Sequence, residues 1–200
     1  MDYQYALNTM MKREQLEISD VAANTGWSIK YAQEIAANRR WHPYFDSVLK
    51  LCYRLRFNVF TFFEFAEAGV RGQHPTPNTQ DSRLRLGSRF QDSIVSSQYQ
   101  GCESFVENLE VQRSLILLME PLHVAQAFRS WRIERGLSQK ELGILTSFSV
   151  QTISLRESSR YASFPSMASV EYYCSAFEIS LCSFLRSVFL AVTSLPSHYW

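Results

Sequence analysis

The sequence predicts an all-α protein of two small helical units joined by a partly helical connector, and three observations carry that expectation. Apolar residues recur at i, i+3, i+4 spacing near both ends of the 200-residue chain, as one buried stripe on a helix requires. Gly and Pro are scarce, at 7 and 6 residues, which suits helices with short loops better than a turn-rich sandwich. The third observation is an internal repeat.

The repeat is clearest in LCYRLRFNVFTFFEF, from Leu51, beside YCSAFEISLCSFLRS, from Tyr173. Val48, Leu51, Cys52 and Leu55 match Val170, Tyr173, Cys174 and Phe177 at a shift of 122, and Val59, Phe62 and Phe63 match Leu181, Phe184 and Leu185 at the same shift. Upstream, Leu16–Ser28 lies over Leu137–Ser149 at a shift of 121. One inserted residue in the loop before Pro43 or Pro165 reconciles the registers, since loops absorb such changes. Chance likeness of two helical bundles is the competing explanation. Recurrence of stripe, turn and proline in one order favours the repeat. The expected boundaries are 1–68 for the first unit, 69–122 for linker and connector helices, 123–190 for the second unit and 191–200 for a tail.

Composition narrows the class without naming a function. Hydrophobic residues make up 46% and charged residues 20%, an ordinary globular mixture rather than a disordered one. Net charge is +1, divided as +1 over residues 1–72, −2 over 73–122 and +2 over 123–200, so bulk charge does not establish nucleic-acid binding. The first residues lack a signal-peptide pattern, and no apolar run is long enough to cross a bilayer. Cys52, Cys102, Cys174 and Cys182 form no CxxC pair and have no His at ligand spacing. A reduced, cytoplasmic setting is expected, with no metal, no cofactor and no membrane.

Local punctuation then specifies a helix, a bend and a second helix in each half. In FRSWRIERGLSQKELGILTSFSVQTISLRES (Phe128–Ser158), Gly136 ends a first helix. Ser138 caps a second, with Glu141 completing a capping box. Leu142 and Leu145 are expected to face inward, Thr146-Ser-Phe to turn, and Ser149 to cap a third helix from Val150 to about Ser158. In the first half the corresponding helices are Ser19–Asn24 and Ile29–Ala37, turned at Thr25-Gly26-Trp27 and capped by Ser28. Gly26 suits a positive φ there. Ala32 and Ile35 should face the core, leaving Lys30, Tyr31, Gln33 and Glu34 outward.

The Phe128–Ser158 stretch resembles the helix-turn-helix of the Cro and phage-repressor (XRE-like) family, and the first half resembles it more weakly. Each likeness covers about 65 residues. The resemblance implies two five-helix lambda-repressor-like domains whose third helices enter the major groove of double-stranded DNA. It also implies a buried ion pair between Arg132 and Glu157; the first half has Met11 and Ala36 at those places, so both partners are absent together.

Groove chemistry supplies the candidate contacts. In the first unit these are Ser28, Lys30, Tyr31 and Gln33, followed by Asn38, Arg39 and Arg40 beside the recognition helix. Lys30 suits guanine or phosphate, Gln33 adenine, and the two arginines the phosphate backbone. A solvated helix end is the plainer alternative. In the second unit the candidates are Gln139, Ser149, Gln151, Thr152, Ser154 and Arg160. Leu155 and Arg156 stand in the reverse of the family's order, and the loop SSRYASFP is about two residues longer than usual. Either Leu155 is exposed or the helix shifts by one residue, and this surface either reads DNA or binds a protein.

Gly69–Ser82 reads as a linker. Leu86, Phe90 and Ile94 suggest one connector helix, and Phe105, Leu109, Gln112, Ile116 and Met119 a firmer one before Pro121. Neither buries its stripe alone, so each packs on a unit or on a second chain, and a homodimer is expected on the family's pattern. No enzyme is expected: P-loop, G-x-S-x-G, H-E-x-x-H and zinc-finger spacings are absent. His42, His74, His123 and His198 are isolated and read as surface residues; Trp27, Trp131, Tyr53 and Tyr173 read as core or turn residues. The expected function is a sequence-specific transcriptional regulator. The alternative is a protein-interaction module of the same fold, as in antitoxins, anti-activators and phage-type inhibitors.

Overall fold

The computed structural model describes residues 1–37, 43–72, 108–158 and 163–194. Among them lie eleven α-helices and no strand: α1 (Tyr3–Arg13), α2 (Ile18–Thr25), α3 (Ile29–Ala37), α4 (Phe45–Leu55), α5 (Val59–Gly72), α6 (Leu109–Leu118), α7 (Pro121–Glu134), α8 (Gln139–Thr146), α9 (Val150–Arg156), α10 (Met167–Phe177) and α11 (Leu181–Ser194). Asn38, Arg39, Arg40, His42, His74, Cys102, Phe105, Arg160, His198 and the Leu86–Ile94 stripe lie outside the described residues.

Side chains at the helix starts explain where the elements begin. Asp2 opens α1 by accepting from the Tyr5 amide at 2.8 Å. Asn108 opens α6 by accepting from the amides of Glu110 and Val111. Pro121 takes the first position of α7, where its missing N–H costs nothing. α2 runs Ile18–Thr25, one residue longer at each end than the Ser19–Asn24 expected, because Asp20 accepts from the Glu17 amide at 2.7 Å and starts the helix earlier.

The halves follow the same backbone course. α2 and α8 are offset by 121 residues at both ends, whereas α4 and α10, and α5 and α11, are offset by 122. Backbone strain repeats with them. Among the described residues, those with positive φ are Gln15, Gly26 and Arg56 in the first half and Gly136, Ser147 and Glu178 in the second. They pair at offsets of 121, 121 and 122. Left-handed backbone is uncommon outside Gly, so three coincident sites mark shared bends rather than shared composition. The change of offset falls between Ala37 and Pro43, matched by Ser158 to Pro165.

Packing joins the halves into one apolar cluster. α1 packs on α5 as α7 packs on α11, and α5 and α11 pack on each other. Phe128 sits between Tyr173 and Phe184 with ring centroids 4.0 and 4.9 Å away. Across the seam, Phe45 meets Phe184 at 6.2 Å and Phe60 meets Phe189 at 5.9 Å, both edge-on. Aromatic contacts of this kind hold more firmly than their buried area alone would. Tyr3 of α1 reaches across to donate to the Glu171 carboxylate on α10, and burial pushes the Tyr3 phenol's pKa up.

One helix lies across both halves. α6 touches α4 on one side and α11 on the other. Its buried residues are Gln112 and Leu115, with Met119 at its end, while Leu109 and Ile116 are half-buried. Gln112 is buried because its Oε1 accepts from the Val59 amide at 3.1 Å, an otherwise free donor in the first turn of α5. The described part of that stripe, from Leu109 to Met119, is therefore packed within the chain. Among the described residues no single helix is long and apolar enough to cross a membrane; α10 and α11 are apolar together but bend by 102° between them.

His123 departs from expectation. It is buried, not on the surface, because its Nδ1 accepts from the Glu120 amide at 2.9 Å at the start of α7. Its Nε2 is buried without a hydrogen-bond partner among the described residues. Burial lowers the imidazole pKa below its usual 6.5, outweighing the neighbouring Glu120 carboxylate. The unfolded chain then takes up the proton first, so stability is complete above about pH 6.5 and declines as pH falls below it. Urea midpoints across this range should show that decline, and His123→Gln should flatten it; an unchanged pH profile in the variant would assign it to other groups.

Candidate nucleic-acid interface

In the first half, α2 and α3 meet at a bend fixed from three sides. Gly26 sits at φ +74°, the left-handed region that favours glycine. Thr25 donates its hydroxyl to the Val21 carbonyl at 2.6 Å, and the same oxygen accepts from the Trp27 amide at 3.3 Å. Arg54 of α4 donates to the Thr25 carbonyl at 3.1 Å, occupying a carbonyl that the end of α2 leaves free. Ser28 then caps α3, accepting from the Tyr31 amide at 3.2 Å.

α3 buries one edge only. Ala32 and Ile35 face the core, and Lys30, Tyr31, Gln33 and Glu34 are exposed, as is Ser28. Tyr31 is steadied edge-on against Trp27 at 5.1 Å. Gln4 and Asn8 of α1 donate to the Ala36 carbonyl at 2.8 and 3.0 Å, fixing the far end of the helix. A groove of about 420 Å³ opens beside α3, lined by Trp27, Tyr31, Tyr44, Lys50 and Arg54 among others. Lys50 and Arg54 were not singled out from sequence. Their i, i+4 spacing on the polar face of α4 was the available signal.

In the second half, Ser138 and Glu141 form the reciprocal cap at the start of α8, at 2.8 and 3.2 Å. The Ser138 hydroxyl and amide hold the Glu141 carboxyl below its usual pKa. Thr146 donates to the Leu142 carbonyl at 2.7 Å, repeating the Thr25 contact, and Ser147 takes the left-handed place of Gly26 at φ +59°. Ser149 caps α9 by accepting from the Thr152 amide at 3.1 Å.

Arg132 and Glu157 form a two-pronged ion pair, Nε–Oε1 at 2.7 Å and Nη2–Oε2 at 2.9 Å. The Glu157 side chain is only 2% exposed. Arg132 also donates to the Leu137 carbonyl at 2.8 Å, so one guanidinium ties the end of α9 to the bend after α7. These hydrogen bonds to Glu157 raise the Arg132 pKa above its usual value and keep the guanidinium charged. Met11 is buried and Ala36 half-buried in the first half, filling the same space without charge.

Two sequence expectations change here, and one pair of alternatives is decided. Leu145 is 57% exposed rather than inward, and its neighbour Ile144 is 72% exposed. The buried residues of α8 are Leu142, Gly143 and Thr146, an arc whose centre lies about 100° from Leu145 at 100° per residue. Gly143 sets that rotation: a Cβ there would come within 2.8 Å of the Phe148 carbonyl. α9 ends at Arg156, two residues before Ser158. Leu155 is 55% exposed, whereas Arg156 turns inward with its guanidinium 4.7 Å from the Phe148 ring. Of the two alternatives for the reversed pair, the helix keeps its register and exposes the leucine.

The candidate contacts divide accordingly. Ser149, Gln151 and Ser154 are exposed and Thr152 half-buried on α9, while Gln139 is half-buried and donates to Glu157 at 3.1 Å. Burial pushes the Cys52 and Cys174 thiols up and Cys182 up to about 12, so these three stay protonated at neutral pH and are poor nucleophiles. Among the described residues no group of three His, Cys, Asp or Glu is placed to hold a metal ion. No protein-family model, curated protein or solved structure matches the chain.

Replacing Glu157 by Ala should cost about 3 kcal/mol or more, because Arg132 would be left charged and largely buried. The double substitution Arg132→Met with Glu157→Ala, which copies the first half, should recover much of that loss. Denaturant unfolding measures both, and losses that simply add would sink the interpretation.

Proposed function

We propose that the chain is a sequence-specific, DNA-binding transcriptional regulator with two five-helix helix-turn-helix units of the lambda-repressor type. The single observation that carries this reading is the exposure of Lys30, Tyr31 and Gln33 along α3, a short helix held out from the core by a capped, left-handed bend. Such a helix enters a major groove at its N-terminal end. There Lys30 meets guanine or phosphate and Gln33 meets adenine. Arg39 and Arg40 follow it in sequence and supply phosphate contacts. α9 offers Ser149, Gln151, Thr152 and Ser154 in the corresponding places.

A second reading rests on a specific difference between the halves. Ile144, Leu145 and Leu155 are exposed where the first half has Ala23, Asn24 and Glu34. Exposed apolar residues on a bend of this type favour a protein partner for the second unit. On that reading the chain is an interaction module with the regulator's fold.

Salt dependence separates the two. Binding of the purified chain to genomic duplex fragments should weaken steeply as salt rises. Arg39→Ala and Arg40→Ala together should lower the log–log slope by about two, roughly one per lost phosphate contact. A protein that ignores every fragment even at low salt would leave only the interaction reading.

A further inference from the structure

We infer that one chain is a complete reader of a two-part DNA site, binding as a single copy to an inverted pair of unlike half-sites. This rests on the DNA-reading proposal above. The observation that carries it further is a local two-fold relation between the halves. Tyr44 and Ser166 pair as an antiparallel bridge, with the Phe45 amide donating to the Pro165 carbonyl and the Met167 amide to the Pro43 carbonyl, both at 2.9 Å. Each residue in that bridge faces its own repeat equivalent, at the offset of 122. A reciprocal pair of bonds between equivalents places a two-fold axis through the bridge.

A second contact between equivalents lies in the helices behind it. The Cys182 thiol lies 3.8 Å from the Phe60 carbonyl, and these too are equivalents. The Arg186 guanidinium lies over the Phe60 ring at 5.5 Å, while Glu64, the equivalent of Arg186, acts electrostatically on Cys182, the equivalent of Phe60. Contacts that exchange under the repeat are the signature of an isologous interface, here built inside one polypeptide. The interface is core-like: Phe45, Phe60, Phe184 and Phe189 are all buried at it, and α6 packs against both halves. The relative placement of α3 and α9 is therefore fixed before any ligand arrives.

Duplex DNA has local two-fold axes, so a two-fold pair of recognition helices meets two half-sites in inverted order. The helices themselves are not copies. α3 presents Lys30, Tyr31 and Gln33, with one cation; α9 presents Gln151, Thr152, Ser154 and Leu155, with none. Lys30 favours a guanine in the first half-site. Gln151 and Leu155 favour adenine and a thymine methyl in the second. A perfect palindrome is then the wrong ligand for one half or the other.

Selection from a randomised duplex library with the full chain, followed by mass measurement of the selected complex, tests this. The expected result is one chain per duplex on an imperfect inverted repeat whose half-site centres lie about one helical turn, or a multiple, apart. Lys30→Ala with Gln33→Ala should abolish the preference in one half-site only, and Gln151→Ala with Ser154→Ala in the other, each weakening binding about tenfold or more. Replacing the second half-site by an inverted copy of the first should cost a similar factor. Two chains on a perfect palindrome, or a motif indifferent to Gln151 and Ser154, would overturn the inference while leaving DNA reading intact. Absence of any selected motif at low salt would remove both.

Discussion

The arrangement of this protein depends on the seam where Pro43-Tyr44-Phe45 lies antiparallel to Pro165-Ser166-Met167. Two backbone bonds alone contribute little net stability. Their importance is geometric, because they fix the register between halves whose apolar faces pack immediately behind them. Val59–Gly72 and Leu181–Ser194 then meet along a wall of phenylalanines that neither half could leave exposed to water. The two halves thus have one core, and the orientation of each bend follows from it.

Within that frame the two bends are held by different chemistry. The second uses charge: Glu157 draws in Arg132, and Arg132 in turn holds the Leu137 carbonyl. The first has no such pair and relies on hydrogen bonds to backbone carbonyls, from the neutral amides of Gln4 and Asn8 to Ala36 and from the Arg54 guanidinium to Thr25. A paired buried charge demands tightly specified geometry, whereas amide-to-carbonyl bonds tolerate small displacements. Equivalent backbones can therefore be stabilised by unrelated side chains, which is why the repeat is faint in residue identity and clear in backbone angles.

Much of the helical framework was legible from residues because local chemistry determined it. Ser28, Ser138 and Ser149 cap the helices that their positions foretold, and Ile29–Ala37 has the bounds that the sequence suggested. Gly26 and Gly136 adopt the left-handed backbone that glycine makes inexpensive. What was not legible depended on contacts between distant segments. The facing of Leu145 is not fixed by helical spacing, which permits several arcs; the approach of the Phe148 carbonyl to Gly143 selects the one adopted. Burial of His123 is not legible either, because its partner is a backbone amide, which leaves no trace in composition. Sequence offsets alone also could not reveal that Tyr44 would meet Ser166, since a tandem repeat is equally compatible with halves that never touch.

The seam has a further consequence, for how the molecule behaves when scarce. A paired assembly of separate chains dissociates once its concentration falls below the dissociation constant, and its response to dosage is then cooperative. Here the two halves are tethered by the polypeptide and share a core, so dilution does not part them. Each half also has its own stretch of the sequence, so a substitution in one need not be mirrored in the other. Met11 opposite Arg132 and Ala36 opposite Glu157 illustrate that freedom: the halves differ in composition while remaining mechanically bound.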